Sequence, residues 1–330
     1  MSAAPHRVVD TTVPWRILLT AVPSSAIDAA LLASRLTALY ADQGWPRTPQ
    51  VVTGADLDAL RRQLAAHHEA PVVVGRCGDA LVVSGDHAWL DGLGLLDVLG
   101  RLLDSPVTSA ARGVAGRAAA SAALPRRLLE VALAPPAAVA LVPVQPSGGD
   151  VLVQQVVEAR VRTAELVWAA SAACSAYNAV HGRRTRHVAI AVGAARREPA
   201  EGVIADRSEL LRLRDVERLS REQVAHAVRA APRQPPLQVA GTSARLAGAA
   251  LRLLAPRLGS TCLVSHLGEV SAPGVRELAF HPVSVGGTGL SLGALGLHGA
   301  TVLTLRARGH QWDVPTLTRL LDLVVASLDG

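Results

Sequence analysis

The sequence predicts an α/β protein built as a sandwich of two similar lobes, and three observations lead there. Half of its residues are hydrophobic while only 2% are aromatic, so Leu, Val and Ala must fill the interior, which suits strands and helices packed in layers. Apolar residues alternate at period two in some stretches and recur at helical spacing in others, with the two patterns mixed along the chain. This rhythm runs twice through 330 residues, a length that holds one large domain or two ordinary ones.

The elements read in order as follows. "WRILLTAV" (15 to 22) is a strand, and "SSAIDAALLASRLTALYADQG" (24 to 44) is a helix behind a Ser cap. "APVVVGRCGDALVVSG" (70 to 85) is a hairpin turning near Gly78 and Asp79. "LDGLGLLDVLGRLL" (90 to 103) returns to helical spacing, with Leu95, Leu99 and Leu102 on one stripe. From Ser105 to Asp150 the chain is rich in Ala, Pro, Gly and Arg, which marks a crossover with room for one helix in "LPRRLLEVALA". A boundary near residue 148 then divides an N-terminal lobe, 1 to 148, from a C-terminal lobe, 149 to 330. The second round opens with a strand over 150 to 161, a long helix over 162 to 182 and a strand over 186 to 198 that leaves through a basic turn. Ser220 caps a further helix. "STCLVSHLG", "RELAFHPVS" and "ATVLTLRAR" are strands, and Asp313 caps a closing helix.

Composition narrows the function. All 33 basic residues are Arg, as in a protein from a GC-rich genome, so a P-loop lysine, a pyridoxal Schiff base and a lysine aldolase are excluded. The high pI of about 10.4 follows from arginine's own pKa, and the net charge of +6 is modest for this length. The Arg residues are scattered and not interleaved with aromatics, which argues against nucleic-acid binding. Cys77, Cys174 and Cys262 lie far apart and form no CxxC pair, so they read as buried thiols in a reducing, cytoplasmic protein. The N-terminus lacks a signal-peptide pattern, and the longest apolar stretch, 131 to 144, is too short and proline-broken to span a bilayer.

The chemistry concentrates in "SGDHAWLDGLGLLDVLG" (84 to 100). His87 follows a strand and precedes a helix opened by Asp91 and Gly92, a place where a side chain is held rigidly yet left accessible. "DHAWLDGLGLL" resembles the HHxxxDG signature of the chloramphenicol acetyltransferase-like superfamily, which includes condensation domains, wax ester synthases and polyketide-associated acyltransferases. "HVAIAVGAARRE" resembles that family's Arg-ended strand after the long helix of the second lobe. "LVSHLGEV" (263 to 270) is similar to its "SNLG"-like segment.

The resemblance implies a two-lobed, pseudo-dimeric sandwich with a tunnel between lobes, where an acyl thioester and an acceptor meet at the histidine. It assigns the catalytic loop to His87, Asp91 and Gly92. His87 would be the general base, Asp91 would tie the loop down, often through an Arg, and Gly92 would permit the tight turn. Imidazole chemistry fits, since a positioned base of ordinary pKa near 6.5 accelerates such steps by roughly 10²- to 10⁴-fold. Substrate would be contacted by Asp86, Trp89, Ser265 and His266, with Ser265 near the oxyanion. The donor would be an acyl-CoA or an acyl carrier protein thioester, the acceptor a small-molecule hydroxyl or amine, with no metal or redox cofactor. The alternative is a cyclisation or isomerisation of a natural-product intermediate on the same fold, without an acyl donor. A third option is a non-catalytic relative that binds a carrier domain.

The chain departs from the pattern in having Asp86 where the signature has its first His, in lacking the "DFGWG" motif of plant-type acyltransferases, and in being shorter than a typical two-lobe member. "GGTGLSLGALG" (286 to 296) fails as a dinucleotide motif, because Leu292 stands where the third Gly belongs, and reads instead as a loop and strand at the lobe interface. His67 and His68 read as a helix end. "HGRRTRH" (181 to 187) and "ARREP" (195 to 199) are exposed basic turns that could meet phosphates.

Overall fold

The structure, a computed structural model, describes residues 15–66, 70–111, 113, 133–196, 203–233, 259–284 and 289–329. Two sheets carry the molecule. The first takes β1 (Arg16–Pro23), β2 (Gln50–Thr53), β3 (Val72–Cys77) and β4 (Ala80–Asp86) from the N-terminal part of the chain. β3 and β4 form the expected hairpin, turning through Gly78 in the left-handed region (φ 56°). Ile17, Leu19 and Ala21 of β1 pack with α1 (Ala29–Gln43) and α3 (Gly92–Leu103), while Leu18 packs with Leu60 and Leu64 of α2 (Leu57–Ala65). With both faces covered, β1 reads as a continuous apolar run, not as an alternation.

The second sheet has the order β6-β12-β11-β9-β7-β8, with the two-residue β5 (Thr108–Ser109) paired to β9. These strands are β6 (Asp150–Val157), β7 (Ile190–Ala195), β8 (Ser208–Leu213), β9 (Cys262–Ser271), β11 (Ser291–Leu297) and β12 (Ala300–Arg308). Three helices cover one face: α4 (Thr163–Val180), α5 (Arg221–Ala230) and α6 (Val314–Asp329). Leu166, Leu292, Trp312 and Leu317 are among the residues of the core between them. The remaining strand, β10 (Val275–His281), leaves this lobe and pairs with β1, so the first sheet runs β10-β1-β4-β3-β2.

Where β10 crosses, the sheets meet closely. Gly293 of β11 lies against the Phe280 carbonyl and the Pro282 ring, with no room for a side chain. Beside it, fully buried Arg306 places Nε and Nη2 on Asp150 (2.7 and 2.6 Å) and donates Nη1 to the Arg16 carbonyl (2.6 Å). A buried guanidinium is tolerable only when paired and hydrogen-bonded in this way.

Local chemistry explains most element boundaries. α1 is capped by Asp28, which accepts from the Ala30 and Leu31 amides, and not by the upstream serines. Ser220 and Gln223 form a capping box for α5, and Asp313 accepts from the Thr316 amide at the start of α6. β2, α2 and β8 were not evident in the sequence. The possible helix over 124 to 134 falls almost entirely outside the described residues, as do His67, His68 and residues 197 to 199 of the second basic turn. The first basic turn is described, and Arg183, Arg184 and Arg186 are exposed there. Cys77, Cys174 and Cys262 are free, the last two buried. Among the described residues no helix is long and apolar enough to cross a membrane.

Candidate active site

β4 ends at Asp86, and a tight turn delivers the chain into α3. The Asp86 carboxylate accepts from the Ala88 amide (2.9 Å), and its carbonyl accepts from Trp89 (2.9 Å) and Leu90 (3.2 Å). The His87 amide extends the ladder by donating to the Trp15 carbonyl (2.7 Å). These bonds fix the backbone on both sides of the imidazole. The ring is mostly buried, tilted against Trp15 with centroids 6.4 Å apart.

His87 Nδ1 lies 3.2 Å from the Leu90 carbonyl. A carbonyl can only accept, so this contact assigns the proton to Nδ1 and leaves the Nε2 lone pair unshared. That is the tautomer a base requires.

Asp91 comes next and is buried. One carboxylate oxygen accepts from the Gly94 amide (2.8 Å), capping α3, and the other accepts from the Arg207 amide (3.1 Å). The link to an Arg is made through its backbone. Burial pushes the Asp91 pKa up, and the two amide bonds oppose that shift. Gly92 then lets α3 start hard against the other lobe, because a Cβ there would sit 2.5 Å from Leu267 Cδ2 and 3.2 Å from Phe280 Cζ.

The segment tied down by Asp91 brings in a residue that sequence reasoning missed. Ile204 donates its amide to Gln43 Oε1 (2.9 Å), Arg207 donates to Asp91, and between them Asp206 places Oδ1 3.8 Å from His87 Nδ1. The Asp206 side chain is only 9% exposed, and the same oxygen accepts from the Ser208 amide (2.9 Å) and hydroxyl (2.5 Å). The signal in "IADRSE" was an Asp two residues before a Ser, an ordinary local turn. Its proximity to His87 comes from the docking of the lobes.

The other expected contact residues are dispersed. Asp86, besides capping the turn, pairs in register with buried Arg16, whose pKa burial lowers to about 10 against the opposing charge of Asp86. Trp89 is half-buried and packs on the N-terminal core. Ser265 shares a face of β9 with Leu263 and Leu267, which pack into the N-terminal core, while His266 projects the opposite way. His266 Nδ1 meets Thr163 Oγ1 (3.1 Å) at the start of α4, and burial lowers its pKa to about 4. Neither Ser265 nor His266 bonds to His87.

A cavity of about 600 Å³ opens along the C-terminal half of α3, lined in part by Asp97, Arg101, Val107, Val203 and Ile204. Its first lining residue, Asp97, lies nearly two turns along the helix from Asp91. Among the described residues, no group of three or more His, Cys, Asp or Glu side chains is arranged to hold a metal.

No protein-family model matches this sequence, and no curated protein does. Solved structures do. The chain is similar to the first condensation domain of the calcium-dependent antibiotic synthetase, solved with a substrate analogue, at 14% identity and a TM-score of 0.59, over 96% of this chain and 91% of that one. The epimerization domain from the third module of tyrocidine synthetase B matches at 13% identity and a TM-score of 0.53, over 96% and 90%. The EpoB cyclization-docking bidomain from Sorangium cellulosum matches at 12% identity and a TM-score of 0.54, over 96% and 79%. The chain therefore has the two-lobed α/β fold of the condensation domains. Known proteins of that fold include condensation, epimerization and cyclization types.

Proposed function

We propose that the protein is an acyltransferase, moving an acyl group from a CoA or carrier-protein thioester to a hydroxyl or amine, with His87 Nε2 as general base. The observation that carries this reading is the Leu90 carbonyl against His87 Nδ1, which leaves Nε2 bare on a backbone held by Trp15 and Asp86. In the proposed reaction Nε2 takes the acceptor's O–H or N–H proton as the acceptor attacks the thioester carbonyl. The tetrahedral intermediate collapses to the ester or amide, and the leaving thiolate recovers the proton from the imidazolium. Ser265 is the proposed hydroxyl for the oxyanion. Asp91 and Gly92 hold the loop and do not touch substrate.

The test is mass spectrometry of metabolites from a producing strain that lacks the chain, complemented with wild type or His87→Ala. An accumulated precursor one acyl unit lighter than the product, rescued by wild type alone, supports acyl transfer. A precursor isomeric with the product supports the cyclase or isomerase alternative. Full rescue by His87→Ala removes the histidine from the chemistry.

A further inference from the structure

We propose that Asp206 is a positioning residue for His87, supplied by the C-terminal lobe to an imidazole carried by the N-terminal lobe. This rests on the reading of His87 as the base and adds a charged group beside its Nδ1–H.

The geometry has three parts. First, Nδ1 of His87 faces two acceptors, the Leu90 carbonyl at 3.2 Å and the Asp206 carboxylate at 3.8 Å. Both acceptors favour the Nδ1–H tautomer, and only the carboxylate offers a full negative charge to the imidazolium formed when Nε2 takes up a proton. Second, the carboxylate is built into place. Its Oδ1 accepts from the Ser208 amide and hydroxyl, so the side chain is oriented before any substrate arrives. Third, the two residues on either side are fastened to the motif lobe, since Arg207 donates its amide to Asp91 and Ile204 donates its amide to Gln43. Asp206, Asp91 and His87 thus form one electrostatic cluster drawn from both lobes.

Asp206 sits at 9% exposure with the oxygen that accepts from Ser208 turned to the imidazole. The assembly also explains why Asp91 spans the lobes, because its bond to Arg207 fixes the residue after Asp206.

The experiment reads the tautomer directly. The full chain is labelled with ¹⁵N-histidine, and the His87 ring nitrogens, assigned by their loss in His87→Gln, are followed at pH 8 in wild type, Asp206→Asn and Asp206→Glu. Turnover is measured in parallel with octanoyl-N-acetylcysteamine thioester as donor and a panel of amines and alcohols as acceptors. Wild type is expected to show Nδ1 protonated and Nε2 bare. Asp206→Asn, which keeps an acceptor for Ser208, is expected to shift a measurable fraction to the Nε2–H form and to lower kcat roughly 100-fold with KM nearly unchanged. Asp206→Glu should recover part of both. Ser208→Ala keeps the charge and removes one of the two bonds that orient it, and should fall between. A tautomer shift with no acyl product from any pair upholds the role of Asp206 and counts against acyl transfer. Asp206→Asn with the wild-type tautomer overturns the proposal, as does a kcat at the wild-type level.

Discussion

The Asp91 carboxylate accepts from two backbone amides of different lobes, Gly94 at 2.8 Å and Arg207 at 3.1 Å. One side chain therefore starts α3 and binds the segment that carries Asp206. Asp91→Ala removes a helix cap, worth about 1 kcal/mol, and leaves a second amide without its acceptor, for a total loss of roughly 2 to 3 kcal/mol. Asp91→Asn keeps one acceptor oxygen and is expected to lose about half as much. Urea denaturation of both variants checks the order, and no loss in Asp91→Asn would mean that only the cap matters.

Restoring the double-His signature is expected to harm this chain. Asp86 holds the Ala88 amide and its charge opposes the effect of burial on Arg16, so Asp86→His removes a turn acceptor and that charge together. The expected cost is about 1 to 2 kcal/mol in urea denaturation, with Asp86→Asn near the lower figure. A stabilised Asp86→His would show that Arg16 does not depend on this carboxylate.

Gly293 sits where the two sheets pack closely. A Cβ there would press on the Phe280 carbonyl and sit 2.5 Å from Thr304 Oγ1 and 2.6 Å from Pro282 Cδ, none of them the end of a flexible chain. Gly293→Ala therefore has no easy relaxation and is expected to cost about 3 kcal/mol. Gly78→Ala, in open space at the β3–β4 turn, costs only its left-handed backbone, about 1 kcal/mol. Thermal melting of the pair separates packing from conformation, and similar melting points would deny the tight contact.

Acid is expected to unfold the protein through two histidines. Burial lowers His266 to about 4, and burial with Arg61 and Arg306 nearby holds His281 well below 6.5. Both are neutral in the fold, while the unfolded chain takes up protons below pH 6.5. Their contribution is intact above that pH and is lost as the pH falls from 6.5 towards 4, by about 3 kcal/mol for His266 alone. Urea midpoints between pH 8 and 4 should fall over that window, and less steeply in His266→Gln. A midpoint that does not change between pH 6.5 and 4.5 would contradict the burial of both rings.

Much of the fold was legible because local rules govern it. The β3–β4 hairpin followed from alternation around Gly78, and the starts of α5 and α6 from Ser220 and Asp313. His87 stood out because its strand, turn and helix lie within one short stretch. Short edge elements escaped: β2 has four residues, and its helix partner α2 has nine. Asp206 escaped for a different reason. It is 119 positions from His87, and long-range bonds, Arg207 to Asp91 and Ile204 to Gln43, bring the two together. The transfer of β10 to the first sheet is likewise a tertiary event, fixed by Arg306 and Gly293 and not by the alternation within β10.

The most direct test of the account is thiol release from octanoyl-N-acetylcysteamine thioester, followed by a thiol-reactive dye, with and without the acceptor panel, for wild type and His87→Gln. The account predicts acceptor-dependent release by wild type, with an acylated acceptor of matching mass, and a fall of roughly 10²- to 10⁴-fold in His87→Gln. Acceptor-dependent acylation at equal rates in the two proteins would contradict His87 as the base.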